Sequence, residues 1–423
     1  MDILPPSPSD PCDLFAVLRA AGAAQEYLAR SRNAERSRVL HRVVAALREG
    51  RDEIFEANTL DLEASRERDL PPTVLAWLKL TPERWQRTLA LLESLGDLPD
   101  PMRQGSRSGD RVHDAQTFSQ LMPLGTIALV YEMLPELGAI AAGMCLKTAN
   151  SAVLYGSLEA HHTNQAIAIA IARGLEDGNF PTAAVSFLSP LADLSFRDLV
   201  VQDRYLSLVI PYGRPKLVRQ VVQYATVPTL KAALGNCYLY WALSGELDTV
   251  RWMLLDSHRN EPDPVNAIEK VLINEQHNQS TLRLLFSSLR TEGFELKGDA
   301  PLMQEFPELA PVRDDEWHQP YLTRTIAFRR VSGLDEAIRC IGQHSSGHAD
   351  SIATESYAES HQFSQRVDSA SIYVNASPRF QRSVRGSASV FLGMSNQKGY
   401  RRGPIGLESL TTLKQAIQGE GPP

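Results

Sequence analysis

The sequence predicts an α/β protein with more than one domain, and three observations carry that expectation. A chain of 423 residues, 43% hydrophobic and 22% charged, has the length and composition to fill more than one buried core. From Leu121 onward, short apolar runs alternate with stretches of helical periodicity, the texture of parallel sheets covered by helices on both faces. The alternation restarts near Gly235 and includes a polar loop, Arg259 to Val265, in which Pro262 and Pro264 favour extended backbone over helix. Such a loop at a domain junction is a natural place for reactive chemistry.

In chain order, a Pro-rich start leads to helical spacing from Cys12 to about Arg68. There Val39, Val43, Val44 and Leu47 form one stripe, with Arg36, Arg38, Arg42 and Arg48 on the solvated side. Thr81 caps a second helix, Pro82 fits its first turn, and it ends near Gly96. Leu124–Tyr131 reads as a buried strand and Glu136–Ala149 as a helix. The strands Ala152–Tyr155, Ala184–Leu188 and Leu206–Ile210 follow, with helices through Ala166–Ala172, Phe196–Gln202 and Pro215–Tyr224. The second series runs from Gly235–Trp241 through a helix over Ser280–Arg290, the run Tyr321–Ala327, the helix Leu334–Ile341 and the strand Ser371–Asn375. Ser377 to Gly406, rich in Gly, Ser and Arg, reads as loop.

A net charge of −7 argues against a nucleic-acid or anionic-membrane partner for the whole chain. Cys12, Cys145, Cys237 and Cys340 lie too far apart for a redox or zinc pair and read as reduced thiols. With no secretory signal and no membrane-spanning run, the expected location is cytoplasmic. No metal site is expected, because Ser345, Ser346 and Gly347 break the helix that would align His344 with His348. His161 and His162 point apart on a helix and read as surface residues.

A set of short motifs then resembles the glutamyl-phosphate reductases of proline biosynthesis, in the aldehyde dehydrogenase superfamily. The matches run in order over about residues 15 to 415. They include Pro123-Leu-Gly125, Tyr131-Glu132, Cys145-Leu-Lys147 with Asn150, Ala225-Thr-Val-Pro228 and Gly235-Asn-Cys237. They continue through Asn266-Ala267, Glu269, Ser346-Gly-His348, Val367-Asp-Ser-Ala370, Tyr373-Val-Asn-Ala-Ser377, Arg379-Phe380, Gln397-Lys398 and Gly403-Pro404.

The resemblance implies an aldehyde dehydrogenase-like fold with N-terminal helices and a Rossmann-type cofactor domain over residues 1–235. A smaller α/β catalytic domain over 236–372 follows, and a terminal oligomerisation segment over 373–423 returns to the first domain. It implies a homo-oligomer and the NADPH-dependent reduction of L-glutamate 5-phosphate to L-glutamate 5-semialdehyde through a cysteine thioester. Lys147, Gly156, Glu159 and Gly213 match cofactor-side positions, and His348, Asn375 and Arg379 match substrate-side ones.

The chain departs from the family where the chemistry is done. The nucleophilic cysteine position before Asn266-Ala267 holds Val265, and the oxyanion amide position holds Glu136, whose charge would repel a developing oxyanion. Leu134 replaces an arginine, Tyr212-Gly213-Arg214 replaces an Arg-Gly-Gly turn, and Arg385 and Phe391 replace glutamates near the nicotinamide ribose. Catalysis is therefore expected to be lost or strongly impaired, and NADPH binding to be weak or absent. Cys237 and Ser257 are the alternative nucleophiles to weigh. The alternative function is a non-catalytic paralogue that binds a metabolite or a protein. The basic stretch Arg379 to Arg402 is either a solvated loop or a surface for an anionic partner.

Overall fold

The computed structural model describes residues 13–103, 111–112, 115–190, 194–259, 264–383 and 389–418. Cys12, Pro262 and Arg385 lie outside the described residues. The chain divides into two compact units. Unit 1 holds Met1–Lys231, Arg382–Leu392 and Ile405–Pro423, and unit 2 holds Ala232–Gln381 and Gly393–Pro404.

Unit 1 opens with five helices: α1 (Leu14–Arg30), α2 (Asn33–Glu49), α3 (Arg51–Glu67), α4 (Pro72–Leu78) and α5 (Pro82–Asp97). Asp13 starts α1 by accepting the N–H groups of Phe15 and Ala16, and Thr81 starts α5 by accepting that of Arg84. In α2 the stripe Val39, Val43, Val44 and Leu47 is buried as the spacing predicts, but Arg36 corrects the reading of a solvated arginine face. Only 3% exposed, Arg36 donates to the carbonyls of Ser31 and Lys147 and to Asp100 at 3.1 Å. A buried guanidinium with an acceptor on each nitrogen meets its desolvation cost, and two of those acceptors, Lys147 and Asp100, come from segments far along the chain.

Next come β1 (Arg111–Val112), β2 (Ala115–Pro123), β3 (Thr126–Tyr131), α6 (Glu136–Lys147), β4 (Ser151–Tyr155), α7 (His161–Asp177), β5 (Val185–Leu188), α8 (Phe196–Val200), β6 (Leu208–Gly213) and α9 (Pro215–Tyr224). The central strands lie in the order β5-β4-β3-β6, all parallel. Every residue of β3, β4 and β6 is buried, which is why they read as unbroken apolar runs. α6 stops two residues before the expected Ala149, which adopts φ 57° and turns the chain toward β4.

Unit 2 contains β7 (Ala232–Ala233), β8 (Cys237–Trp241), α10 (Leu247–Ser257), β9 (Ile268–Asn274), α11 (Gln279–Thr291), β10 (Glu295–Gly298), α12 (Ala300–Glu305), β11 (Ala310–Pro311), β12 (Thr325–Val331), α13 (Leu334–His344), β13 (Ala349–Ala353), α14 (Tyr357–Arg366) and β14 (Ser371–Val374). Seven of these strands form one parallel sheet in the order β11-β10-β12-β9-β8-β13-β14. Alternation along β8 and β9 feeds two cores. Leu239, Trp241, Val271 and Ile273 pack on one face with Phe286 and Phe328, while Tyr238, Tyr240 and Leu272 pack on the other with Trp317 and Phe363. Each such large apolar side chain stabilises the fold by about 1.5–3 kcal/mol.

Within the run Tyr321–Ala327 the strand begins only at Thr325. Leu322 adopts φ 57°, and the buried Glu269 carboxylate accepts the N–H groups of Tyr321 at 2.5 Å and Leu322 at 2.7 Å. That turn ends the loop before the sheet begins. The tail is also not wholly loop, since β15 (Met394–Ser395) and β16 (Gly403–Pro404) pair antiparallel. Finally β17 (Thr411–Gln418) pairs antiparallel with β2 along its whole length in unit 1, leaving β17 as the edge of a three-stranded sheet.

Candidate functional site

In unit 2 the loop before β9 places Val265 in the interior, 1% exposed. Its carbonyl accepts the Gly235 N–H at 2.9 Å. A Cβ built on Gly235 would lie 2.7 Å from that carbonyl oxygen, 2.9 Å from Cys237 Sγ and 3.1 Å from His348 Cβ. The bare Gly235 backbone thus brings Val265, Cys237 and His348 together, and only glycine fits between them.

Neither alternative nucleophile is poised. Cys237 is fully buried, and burial followed by the nearby Asp350 charge pushes its thiol well above the ordinary range, so the thiolate is suppressed. Ser257 Oγ donates to the Leu254 carbonyl at 2.9 Å and accepts the Ile268 N–H at 3.2 Å. Those bonds tie α10 to β9 and occupy the hydroxyl with structural work. The adjacent His258 bonds the Ile268 carbonyl rather than Ser257.

Polar groups around this hub are organised by an acid that sequence reasoning missed. Asp350, on β13, accepts the Tyr238 N–H at 2.8 Å, Ser345 Oγ at 2.7 Å and Ser369 Oγ. Burial raises its carboxyl to about 6 despite those donors. The Ser345–His348 loop is thereby fixed, with His348 Nδ1 2.8 Å from Ser346 Oγ. Burial pushes the His348 imidazole down to about 4, so it is neutral at physiological pH. The signal for Asp350 was a carboxylate inside an apolar strand, two residues beyond a matched histidine.

The other residues expected on the substrate side differ in how committed they are. Asn375, at φ 49°, accepts the Thr354 N–H at 2.9 Å and donates to the Thr354 carbonyl at 2.7 Å, so its amide clamps backbone. Arg379 reaches Asp256, at the end of α10, at 3.2 Å, while its buried Nε has no partner among the described residues. The amide oxygens of Asn236 and Asn266, flanking Gly235 and Val265, are also buried without a partner among the described residues. Buried amide oxygens left open can accept from a ligand ammonium, amide or water, and an open guanidinium N–H can donate to a carboxylate.

In unit 1, Glu136 begins α6 and is held by Arg84, whose Nε lies 3.0 Å from Oε1. Arg84 also donates to the Trp77 and Lys79 carbonyls, so the carboxylate is neutralised by a fixed cation. Sequence reasoning missed Arg84 because it is 52 residues away. Among the described residues Glu136 Oε2 stays buried and unpartnered, and an ionised carboxylate oxygen can only accept. Lys147 lies inside, its ammonium donating to Ser37 Oγ at 3.0 Å and to the carbonyls of Gly96 at 3.0 Å and Leu98 at 2.5 Å. Burial lowers it to about 8, and with three acceptors on three hydrogens the group closes the fold between α2, α5 and α6.

The glycine turns of the expected cofactor side are filled by the protein. A Cβ on Gly156 would stand 2.1 Å from Asn164 Nδ2, and one on Gly213, at φ 144°, would stand 2.6 Å from Glu132 Oε1. A dinucleotide phosphate needs bare backbone at such turns, and here side chains already lie against it. Glu159, in the turn Leu158–Ala160, adds negative charge near Arg214. Asn164 and Glu132 therefore close both turns in this arrangement.

Among the described residues no group of three His, Cys, Asp or Glu could hold a metal ion, and no helix is long and apolar enough to cross a membrane. His162 pairs with Asp61 at 2.8 Å, and His161 lies 3.0 Å from Ser189 Oγ. In the basic tail, Lys398 and Arg402 both pair with Asp368, and Arg382 donates to the Tyr212 hydroxyl at 3.0 Å.

No protein-family model matches the chain. It is 49% identical over 408 residues to gamma-glutamyl phosphate reductase 2 of Synechocystis sp., covering 96% of this chain and 97% of that protein. It is 33% identical over 369 residues to gamma-glutamyl phosphate reductase of Clostridium beijerinckii, covering 87% and 89%. The crystal structure of gamma-glutamyl phosphate reductase from Thermotoga maritima superposes with a TM-score of 0.86 at 31% identity, covering 97% of this chain and 99% of that one. A propionaldehyde dehydrogenase of Rhodopseudomonas palustris, at 12% identity and a TM-score of 0.70, shares the aldehyde dehydrogenase-like fold. The chain belongs to the gamma-glutamyl phosphate reductase family.

Proposed function

We propose that this chain serves proline biosynthesis as a gamma-glutamyl phosphate reductase-type protein that holds a glutamyl-phosphate-like ligand in unit 2 without the covalent thiol step. The family reaction reduces L-glutamate 5-phosphate with NADPH, and its thioester route begins with sulfur displacing phosphate from the acyl carbon. The observation that carries the reading is the buried Val265, whose side chain has no lone pair to form that bond, beside a Cys237 thiol kept protonated. Removing a nucleophile in a covalent mechanism costs roughly 10⁴–10⁶ in rate.

Retention of a ligand is favoured by the open Asn236 and Asn266 amide oxygens and the open Arg379 Nε. That combination suits a non-catalytic metabolite-binding paralogue. Paired Arg379, Lys398 and Arg402 favour a structural tail over a surface for an anionic partner. A cytoplasmic homo-oligomer completes the proposal, supported by exposed Leu413 and Ile417 on the edge strand β17.

The test is oxidation of glutamate 5-semialdehyde by purified protein with NADP and phosphate. The expected rate is at least about 10⁴-fold below that of a cysteine-bearing family member. Turnover within tenfold of that member, lost in Cys237→Ala, would overturn the reading and name the sulfur.

A further inference from the structure

In unit 1 the chain lays β4 and β5 on one side of β3 and then crosses to place β6 on the other. Open parallel sheets take ligands in the crevice outside the carboxyl ends of the two strands where the order reverses. Here those strands are β3 and β6, in register at Tyr131 and Tyr212, so the crevice is bounded by Glu132 on one side and Gly213-Arg214 on the other.

Glu132 and Arg214 occupy it together. Glu132 Oε1 accepts the Arg214 backbone N–H at 2.6 Å and Nε at 3.0 Å, and Oε2 accepts Nη2 at 2.7 Å. The carboxylate is only 11% exposed, although Arg214 is about half exposed. The geometry is bidentate, and these hydrogen bonds hold the guanidinium above its ordinary range, with Glu159 adding to the effect. Pro215 opens α9 without an N–H, so the Arg214 amide is the first donor at that end, and Glu132 takes it. The same carboxylate lies against Gly213, and Asn164 with Tyr131 fills the space beside Gly156.

We infer that Glu132 and Arg214 form a latch across the switch-point crevice, and that a dinucleotide phosphate enters only by displacing Glu132. An incoming phosphate would need the donors that Glu132 already holds: the Arg214 amide and the Nε and Nη2 edge of its guanidinium. Until the latch opens, the phosphate also meets the charges of Glu132 and Glu159. Glu132→Gln keeps one amide oxygen but loses the charge-assisted hold on these donors, and Glu132→Ala frees them, so in both Arg214 is more available to the ligand. This inference concerns binding alone and does not rest on the loss of the thiol step.

The experiment is titration of full-length protein with NADPH, followed by calorimetry and by nucleotide fluorescence, for wild type, Glu132→Gln and Glu132→Ala. Glu132→Gln keeps the shape of the side chain, and circular dichroism checks that each variant is folded. The latch predicts weak or unmeasurable binding by wild type and at least a tenfold gain in affinity for both variants, with inorganic pyrophosphate competing. Wild-type affinity equal to that of the folded variants would overturn the latch, whether all bind or none does. Turnover is not read in this experiment, so its outcome is separate from the fate of Val265.

Discussion

Gly235 and Val265 are locked together through their backbones: the Gly235 N–H donates to the Val265 carbonyl at 2.9 Å, and a methyl group on Gly235 would meet that oxygen at 2.7 Å. Gly235→Ala is therefore expected to lower unfolding stability by about 1–3 kcal/mol, the usual cost of overpacking a filled interior. Urea unfolding measures it. A variant as stable as wild type would mean that the loop yields easily and that Val265 is not held in place.

Arg84 and Glu136 make a second testable pair. Breaking a buried pair by removing the cation leaves the carboxylate unpaired, so Arg84→Ala should cost about 3–5 kcal/mol. Glu136→Gln removes the charge but keeps an acceptor, and should cost less. Thermal unfolding of both variants gives the order, and a larger loss in Glu136→Gln would show that the ion pair does not hold the start of α6.

Asp350 and His348 give opposite pH dependences. Asp350 holds its proton more tightly folded than unfolded, its carboxyl raised to about 6, so its contribution is full below the ordinary carboxylate range and is lost as pH rises through 6. His348 is lowered to about 4, so its contribution is present above the ordinary imidazole value and is lost as pH falls toward 4. Relative to wild type, Asp350→Asn should gain stability as pH rises from 4 to 6, and His348→Gln should lose it. Urea midpoints across that window decide the matter, and two variants that track wild type in parallel would remove both groups from the account.

Much of the fold was legible because its signal is local. β3, β4 and β6 announced themselves as apolar runs, and Thr81-Pro82 carries its own start signal. The pairing of β17 with β2 was not legible, since Thr411 meets Pro123 across most of the chain and polar residues stud both strands. The same distance hid the burial of Arg36 and the partnership of Arg84 with Glu136. The site followed the same rule. Val265 could be found from the residues beside it, whereas the enclosure of Lys147 depends on Ser37, Gly96 and Leu98. Asp350 joins β8 to two serines from separate loops, a relation that no spacing encodes.

The edge strand β17 carries Leu413 at 65% and Ile417 at 61% exposure, an apolar edge of the kind that pairs with another chain. Leu413→Lys with Ile417→Lys should lower the assembled mass in light scattering without lowering helix content. An unchanged mass would place any oligomer contact elsewhere.

The central claim is that no sulfur in this chain takes the acyl group, and intact-mass spectrometry after incubation with glutamate 5-semialdehyde and NADP, or with an acyl phosphate, tests it directly. The account predicts an unmodified mass under conditions where a cysteine-bearing relative shows a thioester. A glutamyl adduct that maps to Cys237 would contradict it.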